Sequence, residues 1–149
     1  MNIIRLGTDN SITLHQYPED HRYAVVHPFL CSLIGDGCDT LESVRPIRLY
    51  SRYGGPVDMK DPHLENGMAL MLVDEEGRIT GKPYNRIASW FYGADIHESI
   101  IAGNVVFCGL CIDDASGEID FCGLEHETKE RILEHLRHIA AQLEGGAQE

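Results

Sequence analysis

Three cysteines and one histidine in the second half of the chain have the types and spacing of metal or redox ligands. Cys108 and Cys111 are separated by Gly-Leu, and Cys122 and His126 follow downstream. Thiolates with this separation bind zinc or exchange with disulfides. The pair lies in an apolar run with the pattern of a strand, however, where Cys108 and Cys111 would point to opposite faces. We therefore expect buried, structural cysteines, with zinc and redox chemistry as the alternatives.

A second group of polar side chains could bind an anion. Asn85 is placed to cap a short helix, and Arg86 follows it directly. Backbone N–H groups at a helix start favour anions, and an arginine adds a donor for carboxylate or phosphate. We take Asn85, Arg86 and Trp90 as the candidate ligand-binding residues. The competing interpretation makes Asn85 a plain N-cap, Arg86 a surface ion-pair partner and Trp90 a core residue.

The sequence contains no recognisable catalytic constellation. Nucleophilic catalysis requires a Ser or Cys beside a base that a third group orients. Neither His27, His63 nor His97 has such a nucleophile in a Gly-x-Ser-x-Gly turn, and no phosphate-binding glycine loop occurs. His135 and His138 lack the four-residue spacing of helical zinc peptidases, and we expect both on the solvated side of the last helix. We therefore assign no catalytic or metal-binding residue and predict no cofactor.

Alternating apolar residues predict the strands that would carry these side chains. Strands or β-rich stretches are expected over residues 2–6, 11–17, 39–53, 68–73, 100–112 and 118–122. Pro46 should mark a bulge or an edge position, because it cannot donate a ladder hydrogen bond. The strand over 68–73 should turn at Gly77, in a positive φ conformation, and return through 78–80.

Helical spacing predicts two short helices before the C-terminal region. Pro28 suits the first position of a helix that Gly35 ends, and the preceding residues 23–26 fit either a strand or the approach to that helix. The second short helix follows Asn85, and its expected buried face is Ile87, Trp90 and Phe91.

The chain ends in an amphipathic helix predicted over residues 125–143 and terminated by Gly145 and Gly146. Without repeats or an interdomain linker, residues 1–144 should form a single α+β domain. We expect a mixed, largely antiparallel sheet packed by the C-terminal helix and the two short helices. Residues 145–149 should form a mobile tail.

Composition restricts the possible partners and the compartment. The 149 residues carry 12 Lys and Arg against 24 Asp and Glu, a net charge of −12, which opposes direct binding to nucleic acid. No apolar run is long enough to span a membrane, and the first residues lack a signal-peptide pattern. We expect a cytoplasmic protein, and its five cysteines then favour reduced thiols.

Residues 75–86 contain an acidic-Glu-Gly turn and a Gly-x-Pro-x-Asn segment, and residues 100–109 contain an Ile-x-Gly-x-hydrophobic strand that ends in glycine. These motifs resemble an uncharacterised family of small domains of unknown function from phage, plasmid and other mobile-element proteins. The helix ending at Gly35 and the final helix are similar to it as well. The resemblance implies a phage or mobile-element context and transfers no catalytic residue. The chain departs from the family pattern over 89–99 and in its cysteine-rich strand.

Charge and family context together lead to two functional expectations. The first is a non-enzymatic interaction module, an acidic inhibitor or decoy that binds a host or competitor protein. The second is a small-ligand or nucleotide-binding protein, including a hydrolase, with its pocket near Asn85, Arg86 and Trp90.

Overall fold

The computed structural model describes residues 1–35, 37–53, 68–112 and 115–147. Its strands are β1 (Asn2–Leu6), β2 (Ile12–Gln16), β3 (Leu41–Val44), β4 (Ala69–Asp74), β5 (Val105–Ile112) and β6 (Ile119–Cys122). Its helices are α1 (Tyr23–Ile34), α2 (Ile47–Tyr53), α3 (Arg86–Tyr92), α4 (Ala94–His97) and α5 (His126–Ala147).

The strands form one sheet in which every described pairing is antiparallel, with the order β2-β1-β5-β4-β3. One edge of β5 is shared: residues 105–107 pair with β1, and residues 109–112 pair with β6. A bridge between Asn2 and Leu124 joins the two partners of that edge. The predicted α+β class is confirmed, and the described sheet is wholly antiparallel rather than mixed.

Apolar side chains cover both faces of the sheet, so the protein has three layers. On one face α2, α3 and α5 pack over Met71 and Phe107. On the other face α1 packs over Leu72 and Val106. Central strands contribute to both cores because their successive side chains alternate between the faces. This is why β4 and β5 are continuous apolar runs in the sequence.

Helix α1 begins at Tyr23, five residues before the predicted start at Pro28. The backbone N–H groups of Val25 and Val26 both donate to the Arg22 carbonyl and form the first turn. Pro28 therefore lies inside the helix, where it removes the hydrogen bond that would reach the Ala24 carbonyl. The helix tolerates this loss because its inner face is buried through Val26, Leu30, Cys31 and Ile34.

Residues 47–53 form helix α2, so the prediction of β structure over 39–53 is correct only for β3. The Pro46 carbonyl accepts from Leu49 N at 2.9 Å and from Tyr50 N at 3.2 Å, so Pro46 begins a helix rather than marking a bulge. Proline is suited to this place, since the first helical N–H groups have no helical partner. Leu49 and Tyr50 are buried together, as neighbouring positions on a helix face can be.

The predicted return strand over 78–80 does not form. Strand β4 is paired on both edges, with β3 and with β5, and the residues after it form turns. The predicted positive φ at Gly77 is also wrong, and Gly81 has it instead, at φ 74°. Gly77 is required for a different reason: a Cβ there would lie 2.7 Å from the Ala102 carbonyl oxygen.

The close approach at Gly77 leads to a stability prediction. We expect Gly77→Ala to lower the free energy of unfolding by about 1–3 kcal/mol, because backbone must move to admit the methyl group. Urea denaturation monitored by circular dichroism measures the change. Exposed Glu75 is in the same turn, and Glu75→Ala should stay within about 0.5 kcal/mol of the parent. Equal midpoints for the two variants would contradict the steric explanation.

Helix α5 runs from His126 to Ala147, so Gly145 and Gly146 lie within it and do not end it. A glycine in a helix costs only about 1 kcal/mol relative to alanine, which a long helix can absorb. Helical spacing predicts an apolar face that is confirmed: four of its residues are buried and two are partly buried against the core, namely Ile132, Leu133, Leu136 and Ala140, and Ile139 and Leu143. Of the predicted mobile tail over 145–149, residues 148–149 lie outside the described residues.

Candidate functional site

Asn85 is a fully buried side chain that joins three parts of the fold. Its Oδ1 accepts a hydrogen bond from Ala88 N at 3.1 Å, which confirms the predicted N-cap of α3. Its Nδ2 donates to the Leu6 carbonyl at 3.2 Å and to the Gly103 carbonyl at 3.0 Å. With 0% of its surface exposed, Asn85 lies beneath the molecular surface and positions α3 against β1 and the start of β5.

The C-terminal carbonyls of α1 are bound by side chains from three separate segments. Arg5 Nε donates to the Leu33 carbonyl at 2.8 Å, Asn104 Nδ2 to Ile34 at 2.9 Å, and Lys82 Nζ to Gly35 at 3.0 Å. The last carbonyls of a helix have no helical partner, so they must be satisfied from outside. These bonds attach α1 to β1, to the approach to β5 and to the Gly-Lys-Pro-Tyr-Asn-Arg segment.

Lys82 also forms a buried ion pair. Its Nζ lies 2.5 Å from Asp74 Oδ2, and both side chains are only 5% exposed. Asp74 Oδ1 accepts from Glu76 N at 2.9 Å, so the carboxylate is satisfied from two directions. Removing one partner of such a pair leaves an uncompensated buried charge. Lys82 therefore belongs to the structural framework.

Arg86 and Trp90 line one surface groove between α3 and the C-terminal half of α5, which we call the α3–α5 groove. Its volume is about 580 Å³, and Tyr84, Ile139 and Leu143 contribute to its walls. Trp90 is 43% exposed, so the interpretation of Trp90 as a core residue is wrong. Ile87 and Phe91 are buried as predicted.

Arg86 is exposed at the groove. Within the described part of the chain it forms no ion pair, so the interpretation of Arg86 as a surface ion-pair partner finds no support there. Its guanidinium can donate to a carboxylate or phosphate in the groove. Of the three predicted site residues, the structure thus brings Arg86 and Trp90 together and places Asn85 behind them.

Arg48 of α2 holds the Trp90 side of the groove. One of its terminal nitrogens donates to the Trp90 carbonyl at 2.6 Å, and the other donates to both carboxylate oxygens of Asp95 at 2.8 Å. The guanidinium carbon lies 5.2 Å from the Trp90 ring centroid, a cation–π distance. The hydrogen bonds from Arg48 hold the pKa of Asp95 below its usual range. Sequence reasoning missed Arg48 because it placed residues 47–53 in β structure.

His135 packs edge-on against the indole ring of Trp90. It is 7% exposed, and its ring lies edge-on to Phe91 at 5.1 Å and to Trp90 at 5.7 Å between centroids. The prediction that His135 faces solvent is therefore wrong, whereas His138 is exposed as expected. The signal was present in the sequence, since His135 follows buried Ile132 at helical spacing.

The cysteines divide between the two faces of the sheet, as the strand period predicted. Cys108 is fully buried in the α1-side core, and burial raises the pKa of its thiol above the usual range. Cys111 lies on the opposite face and forms a disulfide with Cys122, with 6.0 Å between the Cα atoms. The expectation of reduced thiols is wrong for this pair. The diagonal register of β5 and β6, in which Cys122 lies opposite Gly109, brings the two sulfurs together.

A second cavity lies on the α1 face of the sheet, and we call it the α1–β6 cavity. Its volume is about 380 Å³, with a floor that includes Val26, Leu30 and Leu41. Tyr23 stacks on His27 at its edge, with 4.7 Å between the ring centroids. Two consecutive residues of β6, Asp120 and Phe121, complete its wall.

Two classes of feature are not found in the part of the chain that the structure describes. No group of three or more His, Cys, Asp or Glu side chains is arranged there to hold a metal ion. No helix there is both long and apolar enough to cross a bilayer.

Comparison with known proteins places the chain in a family. No curated protein and no solved structure matches it. The family model described as "Domain of unknown function (DUF3846)" matches residues 35–137, more than half of the 149. The matched range includes the buried residues Asp74, Lys82 and Asn85 and the groove residues Arg48, Arg86 and Trp90. The predicted resemblance to small domains of unknown function is confirmed, and the chain belongs to the DUF3846 family.

Proposed function

We propose that this protein is a non-enzymatic interaction module whose α3–α5 groove receives a segment of a partner protein. The observation that carries the proposal is the half-exposed Trp90, whose ring contacts Arg48 and His135 inside a groove of about 580 Å³. Trp90 is the only tryptophan in the chain. A protein whose tryptophan contacts no partner would ordinarily bury more of that side chain.

The chemistry of the groove is that of a binding hot spot. Tryptophan, tyrosine and arginine are the residues most enriched where interface energy concentrates. The groove presents Trp90, Tyr84, Arg48 and Arg86 around apolar Ile139 and Leu143. Because Arg48 and His135 already pack against the Trp90 ring, we expect little side-chain entropy to be lost when a partner covers it.

Charge supports a specific kind of contact. The chain carries a net charge of −12, but Arg86 contributes an unpaired positive charge to the groove among the described residues. A partner segment with an apolar anchor and a carboxylate would match the groove, while the net negative charge of the chain would attract basic surfaces elsewhere on the partner. An inhibitor or decoy for a host or competitor protein is the role that we propose for such a module.

A small anionic ligand is the second candidate, and the size of the groove favours it. Ligand pockets commonly have volumes of about 300–1,000 Å³ and combine apolar walls with a few polar anchors. The α3–α5 groove falls within this range, at about 580 Å³. Arg86 would bind the anion, and the Trp90 ring would stack on an aromatic or apolar part of the ligand.

The protein-binding proposal is tested by photo-crosslinking from inside the groove. With benzoylphenylalanine at position 84, we expect irradiation of producing cells to give a discrete crosslinked species that disappears when Arg86→Ala is added. Position 79 is the matched control, because Ile79 is 88% exposed and does not line the groove. Crosslinking that is equal from both positions, or unaffected by Arg86→Ala, would contradict the proposal.

The small-ligand candidate predicts a different result with purified protein. Trp90 is the only tryptophan, so its fluorescence reports on the groove without any added probe. A nucleotide or carboxylate metabolite at 100 times its Kd should change that fluorescence and stabilise the fold by about 2.7 kcal/mol. Arg86→Ala should abolish both effects, and Arg137→Ala, an exposed arginine outside the groove, should abolish neither. A nucleotide and metabolite panel that leaves fluorescence and Tm unchanged would count against this candidate.

A further inference from the structure

Strand β6 separates a disulfide from a cavity. Cys122, with its disulfide to Cys111, faces the side of the sheet away from α1, and the adjacent Phe121 faces the α1 side. Phe121 packs against the α1-side core and lines the α1–β6 cavity together with Asp120. Because successive side chains of a strand alternate, the disulfide and the cavity wall are attached to the same short piece of backbone.

We propose that the Cys111–Cys122 disulfide is a reversible latch, which a thiol reductant opens at Cys111 and which thereby frees the β6 wall of the α1–β6 cavity. The bond joins β5 to β6 across 11 positions of the sequence. The cavity lies on the α1 face of the sheet, whereas the α3–α5 groove lies on the face that α3 and α5 cover, so the proposal concerns a different site from the groove.

The disulfide is accessible to a reductant in solution, whereas the free thiols of the protein are buried. Cys111 is exposed, so the thiolate of a reductant can reach its sulfur. Cys31, Cys38 and Cys108 are free thiols, and all three are buried. Burial and the neighbouring Cys31 raise the pKa of Cys38 to about 12, which suppresses its nucleophilic thiolate. Reshuffling with the buried thiols is therefore slow compared with attack from solution.

The exchange is balanced with a dithiol as the reductant. A thiolate of the dithiol attacks the Cys111 sulfur, a mixed disulfide forms, and Cys122 leaves as a thiolate that takes up a proton. The second thiol of the reductant, as its thiolate, then attacks the reductant's own sulfur in the mixed disulfide. This step forms a cyclic disulfide and releases Cys111 as a thiolate that takes up a proton. The protein gains two electrons and two protons, and the dithiol loses them.

Once the disulfide is open, β6 is held by its pairing with β5, by the packing of Phe121 and by two described hydrogen bonds. The strand has four residues, and β5 is its partner in the described sheet. The Tyr17 hydroxyl donates to the Phe121 carbonyl at 3.0 Å, and the Leu124 N–H donates to the Asn2 carbonyl at 2.8 Å. A short edge strand with partly exposed side chains opens more readily than the strands in the middle of the sheet. Reduction should therefore loosen β6 selectively.

Thiol titration tests whether the latch exists. Protein equilibrated with oxidised glutathione and then unfolded in guanidinium should react with a thiol reagent at three cysteines, and at five after treatment with dithiothreitol. Intact mass spectrometry should show the loss of two hydrogens in the oxidised form. Five reactive thiols under both conditions would overturn the proposal.

Amide hydrogen exchange tests the consequence for the cavity. Dithiothreitol should increase exchange at residues 119–122 by about tenfold or more, with β1 and β4 unchanged. A Cys111→Ser/Cys122→Ser variant should show the fast exchange at β6 with and without dithiothreitol. If wild-type β6 exchanges equally in both redox states, the disulfide is a passive crosslink and the latch is refuted, a conclusion that does not depend on how the variant folds.

Discussion

Replacing Asn85 by alanine is expected to lower the free energy of unfolding by about 3–5 kcal/mol, because one buried amide satisfies three backbone groups. Loss of the N-cap accounts for about 1 kcal/mol of this. The remainder comes from the Leu6 and Gly103 carbonyls, to which Asn85 Nδ2 donates in the wild-type protein. In the alanine variant both carbonyls would lose this donor inside the core. Urea denaturation with linear extrapolation measures the change.

Two further substitutions of Asn85 distinguish the contribution of the N-cap, made by Oδ1, from the contribution of the two hydrogen bonds that Nδ2 donates. Asn85→Ser keeps an oxygen for Ala88 N but lacks the amide donors, so it should recover only about 1 kcal/mol relative to alanine. Asn85→Asp keeps the cap as well and should still be at least as unstable as the alanine variant, because its carboxylate would face two carbonyl oxygens. An aspartate variant of near wild-type stability would show that only the cap contributes.

Removal of the buried charge at Lys82 has a comparable expected effect. Lys82→Met should lower the free energy of unfolding by about 3–5 kcal/mol, because the buried Asp74 carboxyl group would lose its ion-pair partner. The substitution also removes the donor to the Gly35 carbonyl at the end of α1. Arg131→Met is the matched control at the exposed ion pair with Glu127, and it should change stability by no more than about 0.5 kcal/mol.

A double-mutant cycle tests whether the two buried groups act as a pair. Asp74→Asn and Lys82→Met should each be strongly destabilising, whereas the double variant should be less unstable than the sum by about 2 kcal/mol or more. The reason is that the second substitution removes the charge that the first one left unpaired. Additive effects in the cycle would mean that Lys82 and Asp74 stabilise the fold separately, through Gly35 and Glu76 respectively.

These effects give a structural meaning to the family motif. In the Gly-x-Pro-x-Asn segment, Lys82 binds α1 and β4, and Asn85 binds β1, α3 and the approach to β5. The residues that carry the resemblance are therefore mainly those that hold the layers together. Arg86, the next residue, is exposed and lines the α3–α5 groove.

Local pattern was a reliable guide where the alternation of apolar residues or the capping chemistry is clear in the sequence. It correctly predicted β1, β2, β4, β6, the N-cap at Asn85 and the apolar face of α5, because period and capping chemistry are encoded in neighbouring residues. It placed the start of β5 at residue 100, whereas the strand begins at Val105. It failed over 47–53, where a short apolar stretch after Pro46 satisfies both a strand and a helix pattern. It failed again at 78–80, because β4 takes both of its partners from distant parts of the chain.

The sequence by itself determined the α+β class, the family and the segment that contains the candidate binding residues. Only the tertiary structure decided which of its side chains reach the surface. Trp90 is half-exposed although Arg48 and His135, distant in sequence, pack against its ring, and Asn85 is buried because carbonyls from two other segments converge on its amide. The Cys111–Cys122 bond depends likewise on the register of two strands. Such contacts join residues far apart in the chain, so the pattern of neighbouring residues cannot predict them.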